Sequence, residues 1–203
     1  MKIFSKIISV IFHPLFIPTF GLYLLFSLGD YAVYVPLPVK RIIYIAVFVS
    51  SCLLPLSITP LLFILKKIKS LRMETRQERL WPMFITGLFF ITGYYLLSQL
   101  PAIPGLILNC ILATIIVIFI SLFITYFWKI SIHMTGMGGL IGELLAFAYV
   151  YALDIHLLFS GLIIIAGILG VARLYLNAHT PAQVYSGFLL GFFIVFLFVS
   201  VLA

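Results

Sequence analysis

The chain has 203 residues, of which 65% are hydrophobic and 8% are charged, and its formal net charge is +7. Because soluble domains are about half apolar and about a quarter charged, this composition excludes an ordinary soluble protein and predicts an integral membrane protein. The positive excess fits anionic lipid headgroups or a phosphorylated substrate, and it is too small to indicate nucleic acid. Both cysteines lie inside apolar runs, which predicts core residues rather than a disulfide or a metal site.

Seven apolar runs approach the roughly 20 residues that a membrane-spanning helix needs. They cover residues 7–28, 41–65, 82–100, 105–128, 138–153, 157–172 and 181–202. The first contains His13, Pro14 and Pro18, so we expect its helix to be kinked or broken. Its basic start could belong to a signal peptide, but no small-residue cleavage site follows, which favours a first membrane segment. The sequence therefore predicts an all-α polytopic membrane helix bundle of six to seven transmembrane helices, forming a single domain over residues 1–203.

Three polar segments interrupt the apolar runs, at residues 66–81, 129–138 and 173–180. Alternation of the helices across the membrane places all three on the side of the N-terminus, which we call the motif face. Each segment precedes a predicted helix, and we expect Pro82, Gly138-Gly139 and Pro181 to open these helices. Helix N-termini offer free N–H groups and partial positive charge to anions. The sequence therefore predicts an anion-binding pocket at the motif face.

The charge distribution predicts the orientation of the chain. Of the twelve Lys and Arg residues, Lys40 and Arg41 lie on the opposite side, which leaves ten on the motif side. The positive-inside rule then predicts that the motif face is cytoplasmic. We expect the membrane to be the inner (plasma) membrane of a bacterium.

Two arginines in the first polar segment form a candidate phosphate site. Arg72 and Arg79 are seven residues apart, so they share one face, about two turns apart, if residues 70–80 are helical. Guanidinium groups bind phosphate oxygens in a bidentate manner and stay charged. A solvated basic loop is the simpler interpretation of Arg72 alone, and the sequence leaves both open.

The other two polar segments each contain a histidine. His133 follows Ser131 in a glycine-rich stretch, and Arg173 precedes His179 by six residues. A single histidine is more often structural than catalytic. Beside a hydroxyl or an arginine, however, it has the chemistry of a proton donor or of a nucleophile toward phosphorus.

Taken together, the three segments resemble the motifs of the type 2 phosphatidic acid phosphatase superfamily, membrane phosphoesterases related to the vanadium haloperoxidases. The family pattern is Lys-x6-Arg-Pro, then Pro-Ser-Gly-His, then Ser-Arg-x5-His-x3-Asp. The corresponding stretches here are Arg72-x6-Arg79 with a delayed Pro82, Ile130-Ser131-Ile132-His133, and Ala172-Arg173-x5-His179-x3-Gln183. The resemblance covers the chain from about residue 66 onward.

The resemblance implies a helical core like that of the haloperoxidases and hydrolysis of a lipid phosphate or polyprenyl pyrophosphate, without a metal or another cofactor. His179 would attack phosphorus to form a phosphohistidine, and His133 would protonate the leaving group. The implied phosphate ligands are Arg72, Arg79, Ser131 and Arg173. The expected partners are the lipid substrate and membrane lipids, with no nucleic acid and no protein partner indicated.

Two positions depart from the family pattern. Gln183 replaces an aspartate, and a glutamine can orient the histidine ring but cannot stabilise an imidazolium by charge. Glu143 is an acid inside a predicted membrane segment, where acids are usually functional or paired. Glu143 could replace the missing aspartate, pair with a motif arginine, or face a polar helix interface. A Glu143→Gln variant with unchanged fold and activity would exclude the first two roles.

Two other functions remain open from the sequence. The first is a catalytically degenerate family member that binds or moves anionic lipids without turnover, which Gln183 favours. The second is a transporter or scaffold whose polar segments are unrelated interfacial loops. Under this second alternative Arg173 and His179 would lie far from Arg79. The phosphatase interpretation instead requires the guanidinium groups of Arg79 and Arg173 and the rings of His133 and His179 to surround one cavity.

Overall fold

The structure, a computed structural model, describes residues 1–28, 35–70, 73 and 75–202. Every regular element in these ranges is a helix, which confirms the all-α prediction. The eight helices are α1 (Lys2–Ile11), α2 (Ile17–Ser27), α3 (Leu37–Ile64), α4 (Arg76–Ser98), α5 (Gly105–Phe127), α6 (Ile132–Tyr151), α7 (His156–Tyr175) and α8 (Pro181–Leu202). Helices α3 to α8 are each long and apolar enough to cross a membrane. The chain is therefore a polytopic integral membrane protein with six candidate spans.

The first apolar run is broken, as its prolines predict. Helix α1 ends at Ile11 and α2 begins at Ile17, and the break contains His13 and Pro14. A proline inside a helix removes a hydrogen bond and clashes with the preceding turn. Helices α1 and α2 have 10 and 11 residues, so neither reaches the length of a membrane span.

Helix α1 packs against α7 and turns its small polar residues toward the protein. Ser5 and Ser9 are buried, whereas Ile3, Phe4 and Ile7 are exposed. This is the reverse of a soluble amphipathic helix, and it suits a helix whose outer surface meets lipid.

Helix α2 follows the first half of α6 in the same direction. Three successive contacts, spaced by four residues from the break into α2, pair His13 with His133, Ile17 with Gly136, and Gly21 with Glu143. The break before α2 therefore lies beside the first turn of α6, at the motif face.

The closest helix pair is α6 with α8, and glycines make the close approach possible. Each helix contributes a pair of glycines four residues apart to this contact, namely Gly138 and Gly142 on α6 and Gly187 and Gly191 on α8. A Cβ atom built on Gly138 would overlap the backbone carbonyl of Phe188. Small residues at this spacing let membrane helices approach to backbone contact. The Ser131 N–H also donates to the Gln183 carbonyl at 3.2 Å, which joins the starts of both helices.

Two predicted helix starts were wrong. Helix α6 begins at Ile132, so Gly138 lies inside it, where it serves packing rather than initiation. Helix α4 begins at Arg76, with Thr75 and Glu78 forming a capping box, and Pro82 lies within the helix. Helix α8 does begin at Pro181.

Candidate functional site

A cavity of about 320 Å³ lies between the helices and reaches from the motif face into the bundle. Four predicted site residues line it, namely Arg79, His133, Glu143 and Arg173. Arg79 is in the first turn of α4, His133 in the first turn of α6, and Arg173 in the last turn of α7. Glu143 lies ten residues beyond His133, about 15 Å along α6. The cavity therefore has a basic end at the motif face and a deeper part between apolar helices.

Arg79 and His179 meet although 100 residues separate them in sequence. The Arg79 Nη1 atom is 3.5 Å from the His179 Nε2 atom. The Arg79 Nε–H donates to the Met73 carbonyl at 3.0 Å, which fixes the direction of the guanidinium group. His179 lies in the link between α7 and α8, is 7% exposed, and is not among the residues that line the cavity. Three of the four residues expected to surround one cavity therefore line it, and His179 is joined to the site only through its contact with Arg79.

Gln183 determines which ring nitrogen of His179 carries the proton. The Gln183 Oε1 atom is 3.0 Å from His179 Nδ1 and accepts the Thr180 backbone N–H at 3.3 Å. Because a backbone N–H only donates, this side-chain atom must be the amide oxygen. The Nδ1–H of His179 therefore donates to Gln183, and the Nε2 lone pair is directed at Arg79. Gln183 thus supplies the tautomer that a nucleophilic imidazole needs.

His179 is neutral at physiological pH. Burial and the Arg79 guanidinium lower the pKa of His179 from 6.5 to about 4, whereas the Gln183 hydrogen bond acts in the opposite direction. Because the folded pKa lies below the unfolded one, neutral His179 contributes stability above pH 6.5. That contribution is lost as the pH falls from 6.5 toward 4.

We expect an Arg79→Gln variant to raise the pKa of His179, because a positive charge near the ring is removed. The rise should be partial, since burial remains the larger cause. An NMR titration of the histidine rings in detergent, with the His179 signal assigned from a His179→Gln sample, measures the shift. Arg76→Gln is the matched control, because Arg76 donates to the Phe127 carbonyl and is not a cause of the shift. An equal pKa in both variants would contradict the assigned contact.

His133 is bound to the first helix. Its Nε2 atom is 3.0 Å from the Ser9 carbonyl oxygen, which only accepts, so Nε2 carries the proton and donates it. The His133 ring meets the His13 ring edge to face, with 5.1 Å between the centroids. Arg173 is close enough for its charge to act on both His133 and His179. The second and third polar segments therefore converge with Arg79.

Two predicted phosphate ligands have unpaired atoms. Within the described part of the chain, the Arg173 Nε and the Ser131 Oγ are buried and have no hydrogen-bond partner. Arg173 lines the cavity, so its guanidinium is available to a ligand there. Ser131 does not line the cavity, and it contributes through its backbone contact with Gln183. Arg72 lies outside the described residues.

Glu143 lies away from His179, in the deeper part of the cavity. The Cys110 thiol donates a hydrogen bond to the Glu143 carboxylate. A Cβ atom built on Gly21 would lie 2.9 Å from Glu143 Oε2, so α2 covers the other side of the group. The position predicted for the missing aspartate is filled by Gln183, which makes the His179 contact itself.

Sequence reasoning missed two residues that shape the site. His13 lines the cavity, and its only sequence signal was its place before Pro14. The Glu78 carboxylate accepts the backbone N–H groups of Lys69, Ser70 and Thr75 at 2.8, 3.2 and 3.0 Å. For Glu78 the signal in the sequence was the Thr-x-x-Glu spacing from Thr75, which is the pattern of a capping box.

The fold and the cavity define the protein as a polytopic all-α membrane protein with a basic site at one end of its bundle. No family model, curated protein or solved structure matches the chain. The likeness to the phosphatase superfamily therefore depends on the three motifs, and the activity stays a proposal.

Proposed function

We propose that the protein is a membrane lipid phosphatase, a divergent member of the type 2 phosphatidic acid phosphatase superfamily. It would hydrolyse a lipid phosphate or a polyprenyl pyrophosphate through a phosphohistidine on His179. One observation carries this proposal: the 3.5 Å contact between Arg79 Nη1 and His179 Nε2. It places a neutral imidazole lone pair beside a guanidinium that can hold phosphate oxygens, which is what attack on phosphorus requires.

The reaction uses charges that are already in place. Arg79 and Arg173 bind the phosphoryl oxygens and neutralise the charge that develops on them. The His179 Nε2 lone pair forms a bond to phosphorus as the bond from phosphorus to the leaving oxygen breaks. By the resemblance, His133 protonates the leaving oxygen, and for this step its Nε2–H must first leave the Ser9 carbonyl. Water then attacks the phosphohistidine, which releases inorganic phosphate and restores the imidazole.

The lining of the cavity suits a lipid. Its motif-face end carries arginines and histidines, whereas Phe90 and Val195 are among the residues lining the deeper part. A lipid tail entering from the bilayer would lie in this deeper part, with its head at the arginines. The charge bias supports a motif face on the cytoplasmic side of a bacterial inner membrane.

The contact between Arg79 and His179 also weighs against unrelated interfacial loops, since that alternative separates the two residues. A second candidate is a degenerate member that binds or moves anionic lipids without turnover. It is favoured by the position of His179, which does not itself line the cavity.

The test is phosphate release by the purified protein in detergent, with phosphatidic acid, phosphatidylglycerol phosphate and a polyprenyl pyrophosphate as substrates. We expect release from at least one of them. Saturable binding of these lipids without release would establish the second candidate. Neither binding nor release would refute both functions.

A further inference from the structure

The break between α1 and α2 brings a second histidine to the basic end of the cavity. His13 lines the cavity together with Arg79, His133 and Arg173, and its ring contacts that of His133. The nearby charge of Arg173 acts on His13 as well. A ligand bound by these arginines would therefore also meet the imidazole of His13.

One hydrogen bond identifies the tautomer of His13. The Leu15 backbone N–H donates to His13 Nδ1 at 3.4 Å, so Nδ1 carries a lone pair and the proton of the neutral ring is on Nε2. Burial, followed by the Arg173 charge, lowers the pKa of His13 from 6.5 to about 4, which keeps the ring neutral. In the described residues Nε2 has no hydrogen-bond partner.

The neighbouring histidine is already engaged. His133 donates its Nε2–H to the Ser9 carbonyl, so this proton is not free for a ligand. The same bond holds the end of α1 against α6 and thereby positions the break that carries His13. Of the two histidine rings, His13 is the one with a free Nε2–H donor.

We propose that His13 is a further ligand-binding residue of this site, donating its Nε2–H to an oxygen of the bound phosphoryl headgroup. His133 and Ser9 act as positioning residues that hold His13 in the cavity. The inference rests on the proposed function only in taking the ligand to be a phosphate. A neutral donor adds a directed hydrogen bond to the two guanidinium charges without adding a third charge beside them.

Two variants separate this role from a structural one. The Nε2 of a glutamine side chain takes a position similar to His13 Nε2, whereas the Nδ2 of asparagine resembles Nδ1. We expect His13→Gln to bind inorganic phosphate as wild type does, and His13→Asn to weaken binding on the order of tenfold, the effect of losing one bond to a charged group. Phosphate titrations of each protein in detergent, followed by NMR, measure the dissociation constants.

If the role of His13 is only to accept the Leu15 N–H, the order of phosphate affinities is reversed. His13→Asn then binds phosphate more tightly than His13→Gln, and the proposal is refuted. Equal binding by both variants and wild type, or no phosphate binding by wild type, also refutes it. Phosphate release distinguishes this result from the proposed function. The expected binding order without any lipid phosphate hydrolysis keeps His13 as a ligand and removes the phosphatase. If the protein hydrolyses lipid phosphate but both variants bind inorganic phosphate as wild type does, the phosphatase is kept and His13 is removed as a ligand.

Discussion

A His179→Ala variant is expected to lose lipid phosphate hydrolysis by a factor on the order of 10⁴ or more, the scale seen when a nucleophile is removed. In the proposed reaction the imidazole Nε2 forms the bond to phosphorus, and no other neutral nitrogen contacts Arg79 in the described site. The rate of phosphate release, measured with each lipid that the wild type hydrolyses, gives the effect directly. Acid-labile phosphate bound to the protein should also disappear.

The matched control is His156→Ala. His156 begins α7 at the opposite end of this helix from Arg173, and its ring is exposed. We expect this variant to hydrolyse lipid phosphate at the wild-type rate. Both variants should elute as folded protein, since His179 lies in a link between helices. Hydrolysis by His179→Ala at the wild-type rate would show that another group attacks phosphorus.

The helical bundle was predictable because each span is a long apolar run bounded by polar residues. Helix starts were harder to predict, because polar residues continue into the first turns. Helix α4 begins six residues before Pro82, where Thr75 and Glu78 satisfy its free N–H groups. Helix α6 begins at Ile132, six residues before Gly138. Gly138 does not start the helix, because its role is close contact with α8. Apolar composition locates a span, whereas capping and packing determine its ends.

Part of the site was accessible from the sequence for a topological reason. Helices that alternate across a membrane bring every second link to the same face, so Arg79 and His179 were expected to be neighbours. The place of His13 was not predictable, because it depends on α2 running beside α6 and on the bond between His133 and Ser9. Such pairing of helices depends on how side chains that are far apart in sequence fit together. The spacing of residues along the chain does not contain this information.

The second large effect is expected from a substitution at the contact between α6 and α8. This contact connects helix packing with the geometry of the site. A Gly138→Ala variant is expected to lower the free energy of unfolding by about 3 kcal/mol or more. The added methyl group would overlap the Phe188 carbonyl, which is backbone and cannot rotate away. The helices must then separate, which strains the bond from Ser131 to Gln183 and moves the partner of His179. Thermal unfolding in detergent measures the loss of stability.

Gly167→Ala is the matched control, because it makes the same chemical change within a spanning helix. A Cβ atom on Gly167 meets no atom within 4 Å, and the residue is exposed on α7. Since alanine favours helix by up to about 1 kcal/mol over glycine, this variant should unfold at the wild-type temperature or slightly above it. Equal unfolding temperatures for the two variants would mean that α6 and α8 are not in backbone contact. A destabilised Gly138→Ala protein that still hydrolyses lipid phosphate normally at low temperature would separate the packing from the positioning of Gln183.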